Sequence, residues 1–197
     1  MRVRDDDVFL IGKAFLEPEL CVSRFKEVHK LIVDGGATHV AGVLCGSLHE
    51  FPGGVEFMQE RYQAGELIPE IHGWEHIDYS LLSKELIVEH LNRSIDVIQT
   101  TFGYAPKIFY TPWGANAPHI LEAAELVELK MVDCSQTLPP KRRYFGSPQW
   151  REHCADVRNG QELLIHWWQD RWFEAESHNL AKVLQTIKED RLIFEPC

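Results

Sequence analysis

The chain has 197 residues, 45% of them hydrophobic and 25% charged, which suits a globular domain with a sizeable core. Its formal net charge of −10 repels phosphate backbones and argues against a nucleic-acid partner. No run approaches the roughly 20 apolar residues of a membrane span, and Met1 to Asp7 shows no apolar signal segment. A cytoplasmic protein without a membrane partner is therefore expected. The five cysteines have no paired spacing and predict no structural disulfide there.

Residues 1–11 read as a first strand, with Val3, Val8, Phe9, Leu10 and Ile11 as its apolar part. Asp5, Asp6 and Asp7 interrupt it. Aspartate is poor in strands, and adjacent carboxylates repel one another, so the cluster is either a solvated tip or a cation site. Residues 18–34 read as a helix opened by Pro18, with Val22, Phe25, Val28/His29 and Ile32 at spacings of three and four. Gly35 and Gly36 end it. Thr38–Leu44 is a short apolar strand. Gly53-Gly54 opens a second helix, about 55–64, and Leu67–Ile71 is a third strand that delivers His72.

Residues 80–102 contain the clearest helix, with Ile87, Leu91, Ile95, Ile98 and Phe102 on one face and Gly103 as its C-cap. Lys107–Tyr110 is a fourth strand running into Thr111-Pro112-Trp113-Gly114. A helix over 117–130 and a strand over Met131–Cys134 follow. Residues 135–160 are irregular, and Lys141-Arg142-Arg143 within them read as a solvated loop. Gln161–Trp168 is an apolar strand carrying His166, and Asn179–Asp190 is a last amphipathic helix. Strand and helix alternate, which predicts a parallel sheet with right-handed crossovers in a single domain over 1–197. No glycine-rich dinucleotide loop follows a strand.

The unusual residues fall at strand C-terminal ends, the chemical face of parallel α/β barrels. His72 and His76 stand out. Four extended residues span about 13 Å, whereas two ligands of one zinc ion sit about 3 Å apart. A shared ion needs the chain to bend between them, through a helical turn or through a strand that breaks at Gly73. Gly73 follows the first histidine where the zincin helix has glutamate, which argues against that motif. Two unrelated histidines in a loop is the competing reading.

Taken in order, these segments resemble the polysaccharide deacetylases of carbohydrate esterase family 4. The family's Thr-Phe-Asp-Asp strand end, His-x-x-x-His segment, Arg-Pro-Pro-Tyr/Trp-Gly loop, later aspartate loop and Leu-x-His strand have counterparts here. They are Arg4-Asp5-Asp6-Asp7, His72-Gly73-Trp74-Glu75-His76, Tyr110-Thr111-Pro112-Trp113-Gly114, Asp133 and Leu164-Ile165-His166. The helix end Phe102-Gly103-Tyr104-Ala105-Pro106-Lys107 is also similar to the family.

The resemblance implies an α/β fold, a distorted (β/α) barrel of about seven parallel strands. It implies a divalent metal, usually zinc, held by Asp7, His72 and His76. Asp6 becomes the catalytic base and His166 the acid toward the leaving amine. The Trp113 backbone N–H faces the oxyanion, and Leu164 lines the pocket for the acyl methyl. Trp74, Trp113 and Tyr110 fall on the substrate side. A register one place earlier makes Asp5 the base and Asp6 the ligand. Asp5 and Asp133 are otherwise candidates for supporting these groups.

The implied activity is metal-dependent removal of N-acetyl groups from an amino-sugar or oligosaccharide, so the partner is a carbohydrate or small acylated-amine substrate. A formyl, carbamoyl or non-sugar amide hydrolase is the rival enzyme, and a catalytically silent carbohydrate-binding domain the rival of another class. The family arginine falls at Tyr110 and one proline at Thr111. Asp133 is followed by Cys134-Ser135-Gln136 with no tryptophan near. His166, Trp167, Trp168 and Trp172 also have a plain reading as core residues.

Overall fold

The structure, a computed structural model, describes residues 2–9, 17–132, 163–165, 180–181 and 184–185. Its strands are β1 (Arg2–Val8), β2 (Thr38–Leu44), β3 (Leu67–Gly73), β4 (Ile108–Tyr110), β5 (Lys130–Val132) and β6 (Leu163–Ile165). They form one sheet in the order β5-β4-β3-β2-β1-β6, and every pairing is parallel. Among the described residues, α1 (Pro18–Asp34), α2 (Pro52–Gln63), α3 (Lys84–Phe102) and α4 (Pro118–Leu126) link β1 through β5. The sheet curls into a half-barrel with helices around it, as the sequence led us to expect, with six strands among the described residues.

The central strands are buried on both faces, as parallel strands covered by crossovers must be. In β2 only Thr38 is not fully buried. The helix faces differ in detail from the periodic pattern. On α1 Cys21 is buried while its neighbour Val22 packs partly buried against the core, and on α3 Ser94 is buried beside the partly buried Ile95. Ser94 is tolerated inside because its hydroxyl donates to the His90 carbonyl at 2.8 Å.

Element ends shift for local reasons. Helix α2 starts at Pro52, a favourable first-turn residue, so Gly53 and Gly54 lie inside it. Gly54 is there for contact: a Cβ on it would stand 2.3 Å from the Phe9 ring. Helix α4 is shorter than 117–130 and is followed by Glu128 at φ 60. Helix α3 begins after Ser83, whose hydroxyl accepts from the Leu86 N–H, and closes on Gly103 at φ 66. Cys21 and Cys45 are buried. No helix among the described residues is long and apolar enough to cross a membrane.

Candidate metal centre

Strand β1 carries its aspartates inward. Asp5, Asp6 and Asp7 are 0%, 3% and 7% exposed, so the cluster is not a solvated tip. Successive side chains of a regular strand point to opposite faces. Here the register against β2 shifts between Asp5 and Val8, and Asp7 has φ 62. A bulge of this kind re-aims side chains, and aspartate is among the residues that tolerate positive φ. As a result both Asp6 and Asp7 reach His72. The distances are 4.0 Å from Asp6 Oδ2 to His72 Nδ1 and 3.1 Å from Asp7 Oδ1 to His72 Nε2.

Strand β3 has a matching irregularity. Val43 pairs with Ile71 and Leu44 with Gly73, which leaves His72 as the extra residue. The chain then bends at Gly73, with φ 120. Of the two ways for the histidines to converge, the broken strand is the one realised. The following turn is pinned from two sides. The Trp74 N–H donates to the Tyr79 hydroxyl at 2.8 Å, and the Gly46 N–H donates to the Trp74 carbonyl at 2.9 Å. The bend returns His76 Nε2 to 2.7 Å from Asp7 Oδ1.

Asp7, His72 and His76 each offer one ligand atom, all within 4.8 Å of one another. Two imidazole nitrogens and one carboxylate oxygen are a donor set suited to zinc, which in hydrolytic sites takes three protein ligands and keeps one position open. His72 is also oriented for that use. Its Nδ1–H donates to the Tyr110 carbonyl at 3.0 Å, so in the neutral ring Nε2 carries the lone pair and faces Asp7. The donors thus fit a divalent ion. Burial works against charge on Asp7, but without an ion the hydrogen bonds that His76 and the protonated form of His72 donate to it prevail and hold its carboxyl well below the usual range. Burial likewise opposes charge on His72, yet Asp6 and then Asp7 raise it above the ordinary imidazole value.

Asp6 is held from behind. Arg4 Nε forms an ion pair with Asp6 Oδ1 at 3.1 Å, and both side chains are buried. The guanidinium carbon lies 4.1 Å over the centre of the Tyr110 ring, itself fully buried. Tyr110, expected beside substrate, therefore supports Arg4 from below. On β2, Gly42 leaves room for the carboxylate, since a Cβ there would lie 2.7 Å from Asp6 Oδ1. Asp5 faces the other way, toward His39 on β2 at 3.7 Å.

The aromatic residues divide. Trp113 is 63% exposed and its ring centre is 4.8 Å from that of His76. Its φ of 61 inside Pro112–Gly114 is unusual for a bulky residue. Trp74 is partly buried, with the Arg93 guanidinium 3.9 Å over its ring. Leu164 is buried on β6 and is the register partner of Arg4. Asp133, His166, Trp167, Trp168 and Trp172 lie outside the described residues.

Sequence reasoning missed Arg4, Gly42, Tyr79 and Arg93 as parts of the site. The signal for Arg4 was available: it stands two residues before Asp6, hence on the same strand face. The other three are set by tertiary contact and leave no local pattern.

Residues 37–132 match the family model described as polysaccharide deacetylase. This middle stretch of the chain is similar to the polysaccharide deacetylase family. The matched stretch holds His72, His76, Tyr110 and Trp113, while β1 with its aspartates lies before it. No curated protein matched the chain.

Solved structures share the deacetylase fold at low identity. One is the Xyl-CE4 domain of a multidomain xylanase from the hindgut metagenome of Trinervitermes trinervoides. It has 13% identity and a TM-score of 0.66, with 96% of this chain and 82% of that one covered. Another is a family 4 acetyl xylan esterase from Clostridium thermocellum in complex with a cobalt ion, at 18% identity and TM-score 0.65, covering 96% and 85%. A third is a CE4 family pseudoenzyme from Bacillus anthracis, at 14% identity and TM-score 0.59, covering 96% and 61%.

Proposed function

We propose that this chain is a metal-dependent hydrolase that removes N-acetyl groups from an amino-sugar or oligosaccharide. The observation that carries the reading is the convergence of Asp7, His72 and His76 within 4.8 Å, with the buried carboxylate of Asp6 alongside. A pure binding domain has no need of a carboxylate beside such a donor set.

In this reading Asp7, His72 and His76 hold the ion, and zinc suits their donor atoms. The chemistry supplied there by a bound divalent ion is Lewis-acid polarisation of the acyl carbonyl and acidification of water. Asp6 takes the proton of the attacking water as general base. The Trp113 N–H donates to the developing oxyanion, and Leu164 borders the acetyl methyl. His166 gives a proton to the leaving amine, a task suited to histidine, whose reference pKa is about 6.5. The exposed ring of Trp113 offers a face on which a sugar can stack. The later aspartate register is favoured because Asp7, not Asp6, stands with both histidines, and Asp5 faces His39.

The fold is shared with a pseudoenzyme, so a silent carbohydrate-binding domain is the second reading. The test is acetate release from acetylated chitooligosaccharide by purified protein with zinc or cobalt supplied, with Asp6→Asn as comparison. Release by wild type and its loss in Asp6→Asn, at unchanged metal content, is expected. Oligosaccharide binding without acetate release supports the binding domain, and release of formate or carbamate alone from acylated amines supports the related amide hydrolase.

A further inference from the structure

We infer that Arg4, on β1, is the positioning residue of the base Asp6, with the Tyr110 ring as its platform. The inference rests on the hydrolase reading above and concerns the same site. Three observations carry it. Arg4 Nε is 3.1 Å from Asp6 Oδ1, with both groups buried. The guanidinium lies 4.1 Å over the Tyr110 ring. Asp6 Oδ1 is also bounded on the β2 side, where a Cβ on Gly42 would intrude to 2.7 Å.

Oδ1 is thus clamped between a cation and a neighbouring strand. The second oxygen, Oδ2, is the one turned toward His72, at 4.0 Å. A carboxylate fixed through one oxygen presents the other in one direction, as general-base catalysis requires of a proton acceptor. Arginine suits the task better than lysine, because its flat guanidinium stacks on an aromatic face while its N–H groups pair with carboxylate. Position 110 is where the family resemblance expects an arginine. In this chain the cation comes from β1 and position 110 supplies the ring beneath it. The missing motif arginine is then a relocation of the charge, and not a sign of a silent site.

The test uses the full chain with zinc supplied and compares wild type with Arg4→Met and Arg4→Lys. Acetate release, zinc stoichiometry and crystal structures are measured. Displacement of a reacting group by about 1 Å can cost about 100-fold in rate. Arg4→Met is expected to lower kcat about 100-fold while KM stays within about twofold, since substrate binding is not its role. Zinc stoichiometry stays as in wild type, and Arg4→Lys recovers part of kcat. In the Arg4→Met crystal Asp6 leaves its place, while Asp7, His72 and His76 keep theirs. A kcat unchanged from wild type, or an undisplaced Asp6, overturns the inference. If Arg4→Met does not fold, Tyr110→Leu takes its place: it removes the platform and leaves Asp6 intact, with the same expected split between kcat and KM and the same overturning result. An inactive wild type overturns the proposed hydrolase, and the crystal structures then decide the positioning alone. Asp6 displaced supports it, and Asp6 in place contradicts it.

Discussion

Asp7 Oδ1 reaches 2.7 Å from His76 Nε2 because the two strands that flank β2 break their pattern at the same level. Strand β1 shifts register between Asp5 and Val8, and β3 inserts His72 before bending at Gly73. Without the first bulge Asp6 and Asp7 would face opposite sides of the sheet. Without the bend His76 would run on past the strand end.

The bend at Gly73 is therefore a sensitive position. Its φ is 120, and a Cβ there would lie 2.9 Å from the Tyr79 hydroxyl. Gly73→Ala is expected to weaken zinc binding at least about tenfold, consistent with a backbone strain of about 1–3 kcal/mol. Tyr79→Phe removes the acceptor of the Trp74 N–H and is expected to cost about 1–2 kcal/mol of stability. Calorimetric zinc titration and denaturant unfolding of the two variants check these outcomes.

Gly42 should separate metal binding from catalysis. Gly42→Ala presses on Asp6 Oδ1 from β2, with nothing of Asp7, His72 or His76 among the close contacts. Zinc affinity is expected to stay within about threefold of wild type while kcat falls about tenfold or more, as befits a displaced general base. Parallel zinc titration and acetate assays decide it.

A pH effect on stability should come from a second buried pair. His29 and His39 approach Nδ1 to Nδ1 at 3.1 Å, between α1 and the sheet. Asp5 faces His39, and Glu66 faces His29, with Arg61 beside it. Burial lowers both imidazoles below the ordinary value, His39 the more so. The unfolded chain then takes up protons first. The stability these residues contribute is complete above about pH 6.5 and is lost as pH falls toward their depressed native values. The slope is at most about 1.4 kcal/mol per pH unit for each histidine. In metal-free protein His72 acts in the opposite sense, because Asp6 and Asp7 raise it. The contrast is best isolated by difference: His29→Gln should unfold in urea with a shallower loss of stability between pH 7 and pH 5, by at most about 1.4 kcal/mol per pH unit.

Much of the fold was legible because strands and helices alternate and carry their usual periods. Helix α1 and strand β2 have the bounds the pattern predicts, Pro18–Asp34 and Thr38–Leu44. The boundaries that moved did so through tertiary contact, as at Gly54, where the Phe9 ring requires a missing Cβ. For the site, the spacing and strand-end placement of His72 and His76 are local properties, whereas Asp7 joins them only through the family resemblance. Which way the chain bends between the histidines was not legible, because a helical turn and a broken strand satisfy the same spacing. In sequence Arg4 reads only as part of a charged strand end. Its meaning depends on Tyr110, a residue on another strand that no local window contains.

The hydrolase reading requires Asp7, His72 and His76 to hold one divalent ion. Zinc titration of the metal-stripped protein tests it most directly, with His72→Ala and Asp7→Asn as variants and with thermal unfolding to show that both remain folded. One zinc per wild-type chain, and affinity reduced at least about 100-fold in each variant, is the predicted result. Wild-type protein that takes up no zinc, cobalt or other divalent ion, or folded variants that bind as tightly as wild type, would contradict it.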